Sequence, residues 1–154
     1  MTSVPFQKSF EVAWAHLDAI GHMANTAYLD VVVDVRFAYF ASQGFTPADF
    51  RTHGIGPVVR RDEVDYYREL RLMEPFTVSL AVAGLSPDAS RFRLRNEIRK
   101  ADGELAARIT SQGGWLDLTA RKLVAPPEKL AAALRALDRS EDYAPLESTR
   151  KAPA

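Results

Sequence analysis

Cysteine is absent from all 154 residues, which excludes disulfides, thiolate metal sites and a cysteine nucleophile together. An excess of one charge is missing too: twenty Lys and Arg balance twenty Asp and Glu. That balance gives no general electrostatic pull toward nucleic acid or an anionic membrane. Long apolar runs are lacking, and none approaches the roughly 18 residues of a membrane span. The opening Met1-Thr2-Ser3-Val4-Pro5-Phe6-Gln7-Lys8 has no apolar stretch of signal-peptide length. The chain is therefore expected to be a soluble, unprocessed, cytoplasmic protein with neither nucleic-acid nor membrane partners. The three histidines form no i, i+4 pair and no His-Glu-x-x-His pattern, so no metal is expected.

What is present suffices for one core, since 47% of the residues are hydrophobic and this length suits one compact domain. Residues 1–138 read as that domain. Residues 139–154, with Pro145, Pro153 and many polar side chains, read as a loose tail.

The element pattern is α+β. Residues 9–14 alternate as a short strand with Phe10, Val12 and Trp14 on one face. Residues 25–42 read as a helix: Asn25 or Thr26 caps it, Gln43-Gly44 closes it, and no proline interrupts it. Its side chains are apolar nearly all round, except Asp30, Asp34 and Arg36, which predicts burial on most sides. Residues 44–57 read as a loop with one helical turn at 47–51. Strands are predicted at 58–70, 76–85, 90–100 and 104–118, and their short connections favour an antiparallel meander. In the third of these, Phe92, Leu94 and Asn96 oppose Arg91, Arg93, Arg95 and Glu97, so one face is wet. Gly113-Gly114 suggests a bulge or a close approach by another backbone. After Pro126-Pro127, residues 128–137 form a small amphipathic helix with Leu130, Leu134 and Leu137 on one stripe.

The most informative segment is Trp14-Ala15-His16-Leu17-Asp18-Ala19-Ile20-Gly21-His22-Met23-Ala24-Asn25-Thr26-Ala27-Tyr28. It sets Asp18 in a turn that runs through Gly21 into the apolar helix. Backbone N–H groups unpaired at a helix start lie close to such an acid, so a carboxylate and oxyanion donors converge within a few residues. That arrangement suits acyl transfer. A capping or turn role is the commonest competing use of an Asp before a helix.

A helix apolar on most sides, joined to five strands, requires a sheet curled around it. The segment resembles the Asp-x-x-Gly-His-x-Asn-Asn-x-x-Tyr signature of the 4-hydroxybenzoyl-CoA thioesterase-like family of hotdog acyl-CoA thioesterases, over about residues 5–120. Asp18, Gly21, His22, Asn25 and Tyr28 stand in register. Two positions depart: relatives often carry an acid where this chain has His16, and Ala24 replaces the first of the paired Asn.

The resemblance implies a hotdog fold, a long central helix wrapped by a curled five-stranded antiparallel sheet. It implies hydrolysis of the thioester of a small or medium acyl-CoA by Asp18, as nucleophile or as general base. The oxyanion donor would be a backbone N–H at the helix start, matched by Asn25, with His22 orienting substrate or Asp18. Gly21, Tyr28, Trp14 and His16 are the candidate substrate contacts. Trp14, Phe37, Tyr66, Tyr67 and Trp115 are candidate aromatic walls for an aryl or a betainyl-type acyl group. Basic candidates for a coenzyme A phosphate are Arg60, Arg61, Arg91, Arg93 and Arg95. No cofactor is implied beyond the coenzyme A of the substrate, and a homodimer or a dimer of dimers is expected. A hotdog enoyl-CoA hydratase or dehydratase, and a non-catalytic acyl-CoA-binding protein, are the alternatives.

Overall fold

Valines at 31, 32, 33 and 35 suit a strand, yet in the computed structural model, which describes residues 4–148, they lie in helix α1, Ala27–Ser42. Neither Pro nor Gly interrupts the segment, and Gly44 at φ 86° follows its end, so helix wins over β-branching. The helix starts two residues later than expected. Asn25 and Thr26 form a turn, and Thr26 stands as N-cap without a side-chain cap bond.

The strands are β1 (Phe6–Glu11), β2 (Ile55–Tyr66), β3 (Pro75–Leu85), β4 (Arg91–Lys100), β5 (Leu105–Asp117) and β6 (Lys122–Val124). They form one antiparallel sheet in the order β1-β3-β4-β5-β2, with β6 also on β5. The sheet thus has six strands among the described residues, one more than expected. Only β3-β4-β5 is a meander. β2 does not pair with β3; the connection between them crosses the molecule, and β2 pairs with β5 at the far edge. The first strand ends before Trp14, which sits in a 3-10 turn, Trp14–His16.

The sheet curls over α1, whose Val32 and Val35 are completely buried against Val78, Leu80, Ile98 and Ile109. This is the α+β hotdog arrangement. Helix α2, Pro47–His53, replaces the single turn expected; Thr46 and Asp49 form a capping box around Pro47 and Gly54 closes it at φ 63°. Helix α3, Glu128–Arg135, lays Leu130 and Leu134 into the core. Tyr39 on α1 donates to the Ala133 carbonyl at 2.6 Å. Among the described residues no helix is long and apolar enough to cross a membrane.

Two features correct the sequence reading. Arg36, counted only as an exception in the apolar pattern, is 7% exposed. Its Nε and Nη2 donate to Asn96 Oδ1 at 3.1 and 2.9 Å, and Nη2 also donates to Ser111 Oγ at 2.6 Å. Ser111 Oγ donates in turn to Asp62, and Asn96 Nδ2 donates to the Ser79 carbonyl at 3.0 Å. The second correction is the tail. Residues 149–154 lie outside the described residues, but 139–148 are not loose. Ser140, Ala144 and Leu146 donate backbone bonds to Val82, Ala83 and Leu85 of β3, and Asp142 pairs with Arg95 at 3.0 Å. Gly84 admits this strap, since a Cβ there would come within 2.7 Å of the Ala144 carbonyl oxygen.

The glycine pair in β5 is a close-approach site. A Cβ on Gly113 would lie 2.0 Å from the Val58 carbonyl oxygen, where β2 shifts register between Val59 and Arg61. Because the obstacle is backbone, the strand pair must move. We expect Gly113→Ala to cost about 3 kcal/mol, read from chemical denaturation. A loss below about 1 kcal/mol, the centre of ordinary substitutions, would show that β2 and β5 separate easily there.

Candidate functional site

Asp18 opens a tight loop that the chain closes on itself. Its backbone N–H donates to the His22 carbonyl at 2.8 Å, and Leu17 bridges Met23. The carboxylate Oδ1 accepts from Ile20 N–H at 3.0 Å and from His22 N–H at 3.1 Å, an Asx-type turn. Gly21 turns the chain at φ 81°, the left-handed region where a side chain is strained. The two carboxylate oxygens therefore differ. Oδ1 is committed to the turn, while Oδ2 has no hydrogen-bond partner among the described residues.

From this loop the chain passes directly into α1. Ala27 N–H returns to the Ala24 carbonyl at 2.9 Å, whereas the Asn25 N–H meets no acceptor among the described residues. An unpaired donor thus stands at the positive end of the helix, a few residues from the acid.

The opposite wall comes from the crossing between β2 and β3. Met23 N–H donates to the Leu70 carbonyl at 2.7 Å and His22 bridges Arg71, so the loop is tied to residues 69–71. His22 Nε2 lies 2.6 Å from Glu69 Oε2. Tyr66 Oη donates to the Asn25 carbonyl at 2.7 Å and packs edge-on to Tyr28 at 5.3 Å between ring centroids. Burial, then Tyr66 and the acids Glu74, Asp18 and Glu69, push the Tyr28 phenol up to about 12. Burial also raises that of Tyr66. Both hydroxyls are therefore neutral at physiological pH.

These groups line an open cleft of about 520 Å³ bounded by Asp18, His22, Asn25, Tyr28, Tyr66 and Glu69, among others. Four expected site residues, Asp18, His22, Asn25 and Tyr28, are brought together there, and Tyr66 and Tyr67 join them. Gly21 shapes the loop without lining the cleft. His16 and Trp14 do not line it: His16 Nδ1 accepts from Ala13 N–H at 3.0 Å, and Trp14 is 78% exposed. Trp115 is a core residue, fully buried between Phe40, Phe50 and Phe92. Glu69 was missed. It is 47 positions from His22 in the sequence, and nothing local marks it.

Of the basic candidates, Arg95 is engaged with Thr110 and Asp142, and Arg91 with the Glu147 carbonyl. Arg61 pairs with Glu63 at 3.1 Å. The side chains of Arg60 and Arg93 have no hydrogen bond or ion pair among the described residues. In chemical terms the cleft offers an ionisable oxygen, a neighbouring backbone donor, a histidine held by a carboxylate and two neutral phenols. That set can hold a carbonyl and deliver an oxygen nucleophile to it.

The model of the thioesterase-like superfamily matches residues 12–134. Among solved structures, a Staphylococcus aureus protein in complex with CoA aligns at TM-score 0.80 and 22% identity, over 99% of this chain and 92% of that one. A 1,4-dihydroxy-2-naphthoyl-CoA thioesterase from Synechocystis aligns at 0.77 and 19% identity, over 87% and 98%. The probable thioesterase YbaW from Escherichia coli aligns at 0.72 and 22% identity, over 86% and 98%. At these identities the likeness is one of fold. No curated protein matches the chain.

The loop geometry yields a test. A Cβ on Gly21 meets nothing within 4 Å, so replacement is costly only through the backbone angle. Gly21→Ala should lose about 1 kcal/mol, and Gly21→Asn should recover part of it because Asn tolerates the left-handed region. Denaturant melts of the three proteins check this, and equal losses for Ala and Asn would overturn the angle argument.

Proposed function

The chain belongs to the thioesterase-like superfamily and is by class a thioester hydrolase; we propose that it hydrolyses acyl-CoA at the cleft where Asp18 faces the start of α1. The observation that carries this reading is that Asp18 Oδ1 holds the loop while its Oδ2, like the Asn25 N–H lining the same cleft, has no hydrogen-bond partner among the described residues. The acyl carbonyl would accept from that N–H, where negative charge grows as the carbonyl carbon becomes tetrahedral.

Two routes use the same carboxylate. As base, Asp18 takes a proton from water and the hydroxide adds to the acyl carbon. As nucleophile, it adds directly, giving a mixed anhydride that water then opens. In both, the C–S bond breaks, coenzyme A leaves as thiol, and the acyl group leaves as carboxylate with release of one proton. His22, held at Nε2 by Glu69, positions the loop and the bound thioester. Tyr28 and Tyr66 serve as neutral wall and donor groups.

The chain is further proposed to act as a homodimer, alone or within a tetramer. Strand β2 is twelve residues long, lies at one edge of the sheet, and exposes Val59 and Tyr66. Long edges of that kind invite strand pairing unless covered, and a symmetric copy supplies the cover. Light scattering should then give at least twice the 17.1 kDa of the chain; a monomer at micromolar concentration would overturn this.

The central experiment compares wild type with Asp18→Asn on a panel of acyl-CoAs, following thiol release with a disulfide reagent. The amide oxygen still accepts from Ile20 and His22, so the loop and the melting temperature should be kept. Loss of the charge should lower kcat by about 10²-fold to 10⁴-fold. Undiminished turnover would remove Asp18 from the chemistry. Binding without turnover by wild type would favour an acyl-CoA-binding protein, and water addition to an enoyl-CoA would favour a hydratase.

A further inference from the structure

Beside α1, away from the Asp18 cleft, lies a second cavity of about 220 Å³. It is enclosed by Val33, Phe37 and Phe40 of α1, Pro57 and Val59 of β2, and Leu94 of β4, among others. One polar side chain breaks this apolar lining, and it is the buried Arg36. Asn96 and Ser111 hold its Nε and Nη2, while Nη1 has no hydrogen-bond partner among the described residues. The nearest acid, Asp62, reaches the guanidinium only through the Ser111 hydroxyl.

A guanidinium in such a place is under-compensated. Burial lowers the Arg36 pKa to about 10, and Asp62 restores only part of the loss. The group therefore remains cationic at neutral pH, next to an apolar space, with two N–H donors of Nη1 unspent. The complement is an apolar body that ends in an anion with planar, paired acceptor oxygens.

We propose that this cavity receives the acyl group and that Arg36 binds a carboxylate at its far end, so that the preferred substrates are medium-chain acyl-CoAs with a terminal carboxyl. The proposal rests on the thioesterase reading of the Asp18 cleft and adds the substrate class. The spacing agrees with a medium chain: Arg36 is eight residues beyond Tyr28 on α1, about 12 Å along the axis. Leu29, half-buried on the same stripe of α1 as Val33 and Arg36, is the apolar side chain along which the acyl chain would run from one space to the other. The exposed flanks of Val33 and Val59 are where a second copy would close the chamber. A betainyl-type acyl group is disfavoured here, because its cationic end would face Arg36.

The test measures kcat/KM for acetyl-CoA, octanoyl-CoA and the monothioester of octanedioic acid with coenzyme A. Wild type should prefer the carboxyl-bearing substrate over octanoyl-CoA by at least about tenfold, the worth of one hydrogen bond to a charged group. Arg36→Met should bring that ratio to about one or below, and Arg36→Lys should keep part of it. Removing Arg36 also strands Asn96 and Ser111, so circular dichroism must show the Met variant folded. If it is not, Val33→Trp serves instead: by filling the cavity it should lower both eight-carbon substrates relative to acetyl-CoA. Hydrolysis without a carboxyl preference, or a preference that survives Arg36→Met, overturns this inference and leaves the thioesterase reading standing. An unchanged profile in Val33→Trp does the same. No thiol release from any of the three substrates overturns both.

Discussion

A helix that is apolar on almost every side has no stable place on a protein surface, and this constraint organises the molecule. The sheet must enclose α1, and a sheet can enclose a helix only by curling until its two edge strands, β1 and β2, stand far apart in the order of pairing. The helix then emerges from its wrapping at its ends and along a strip at Asp30, Val33 and Asp34. Its N-terminal end, with unpaired backbone donors, comes out where the Asp18 loop begins and where the crossing between β2 and β3 passes. The geometry of the candidate site is thus a by-product of enclosing the helix. The same crossing that carries the chain from one edge of the sheet to the interior supplies Glu69, Leu70 and Arg71 to hold the loop.

Enclosure has a polar cost, visible at Arg36. A charge inside this layer is tolerated because amide, hydroxyl and carboxylate groups from three different strands converge on it. Each is itself satisfied, as buried polar groups generally must be. Removing the arginine would leave acceptors without donors, which is commonly worse than removing a whole network. The network also fixes how α1 is rotated within the sheet, since only one rotation brings residue 36 to Asn96.

The sequence is legible where its signals are local. The Asp18 to Tyr28 run, the helix behind it, the alternation of β4 and the glycine pair in β5 are each carried by neighbours in the chain. Phe92, Leu94 and Asn96 do point inward as their spacing demands. The errors arise where distance in the chain is large. Glu69 meets His22, and Arg36 meets Asn96 and Ser111, only because of the strand order, and no periodicity reports strand order. Trp115 reads as a pocket aromatic on residue type alone, but it lies opposite Pro57 and packs against Phe40 of α1 and Phe50 of α2. The segment from 139 onward reads as loose because it is polar and contains proline, but the contacts of residues 140–146 with β3 are backbone bonds, which composition does not reveal.

The place of β2 in the sheet also bears on how the chain reaches its native state during synthesis. Residues 55–66 wait for residues 105–117 before they have a partner, and α1, made earlier still, waits for the same strands to cover it. Pairings across such spans close slowly, because the intervening chain must be ordered first. Until β5 leaves the ribosome, an apolar helix and a long unpaired strand stand exposed together, a species prone to aggregate. The partly made chain is therefore expected to be more prone to aggregate than the finished fold.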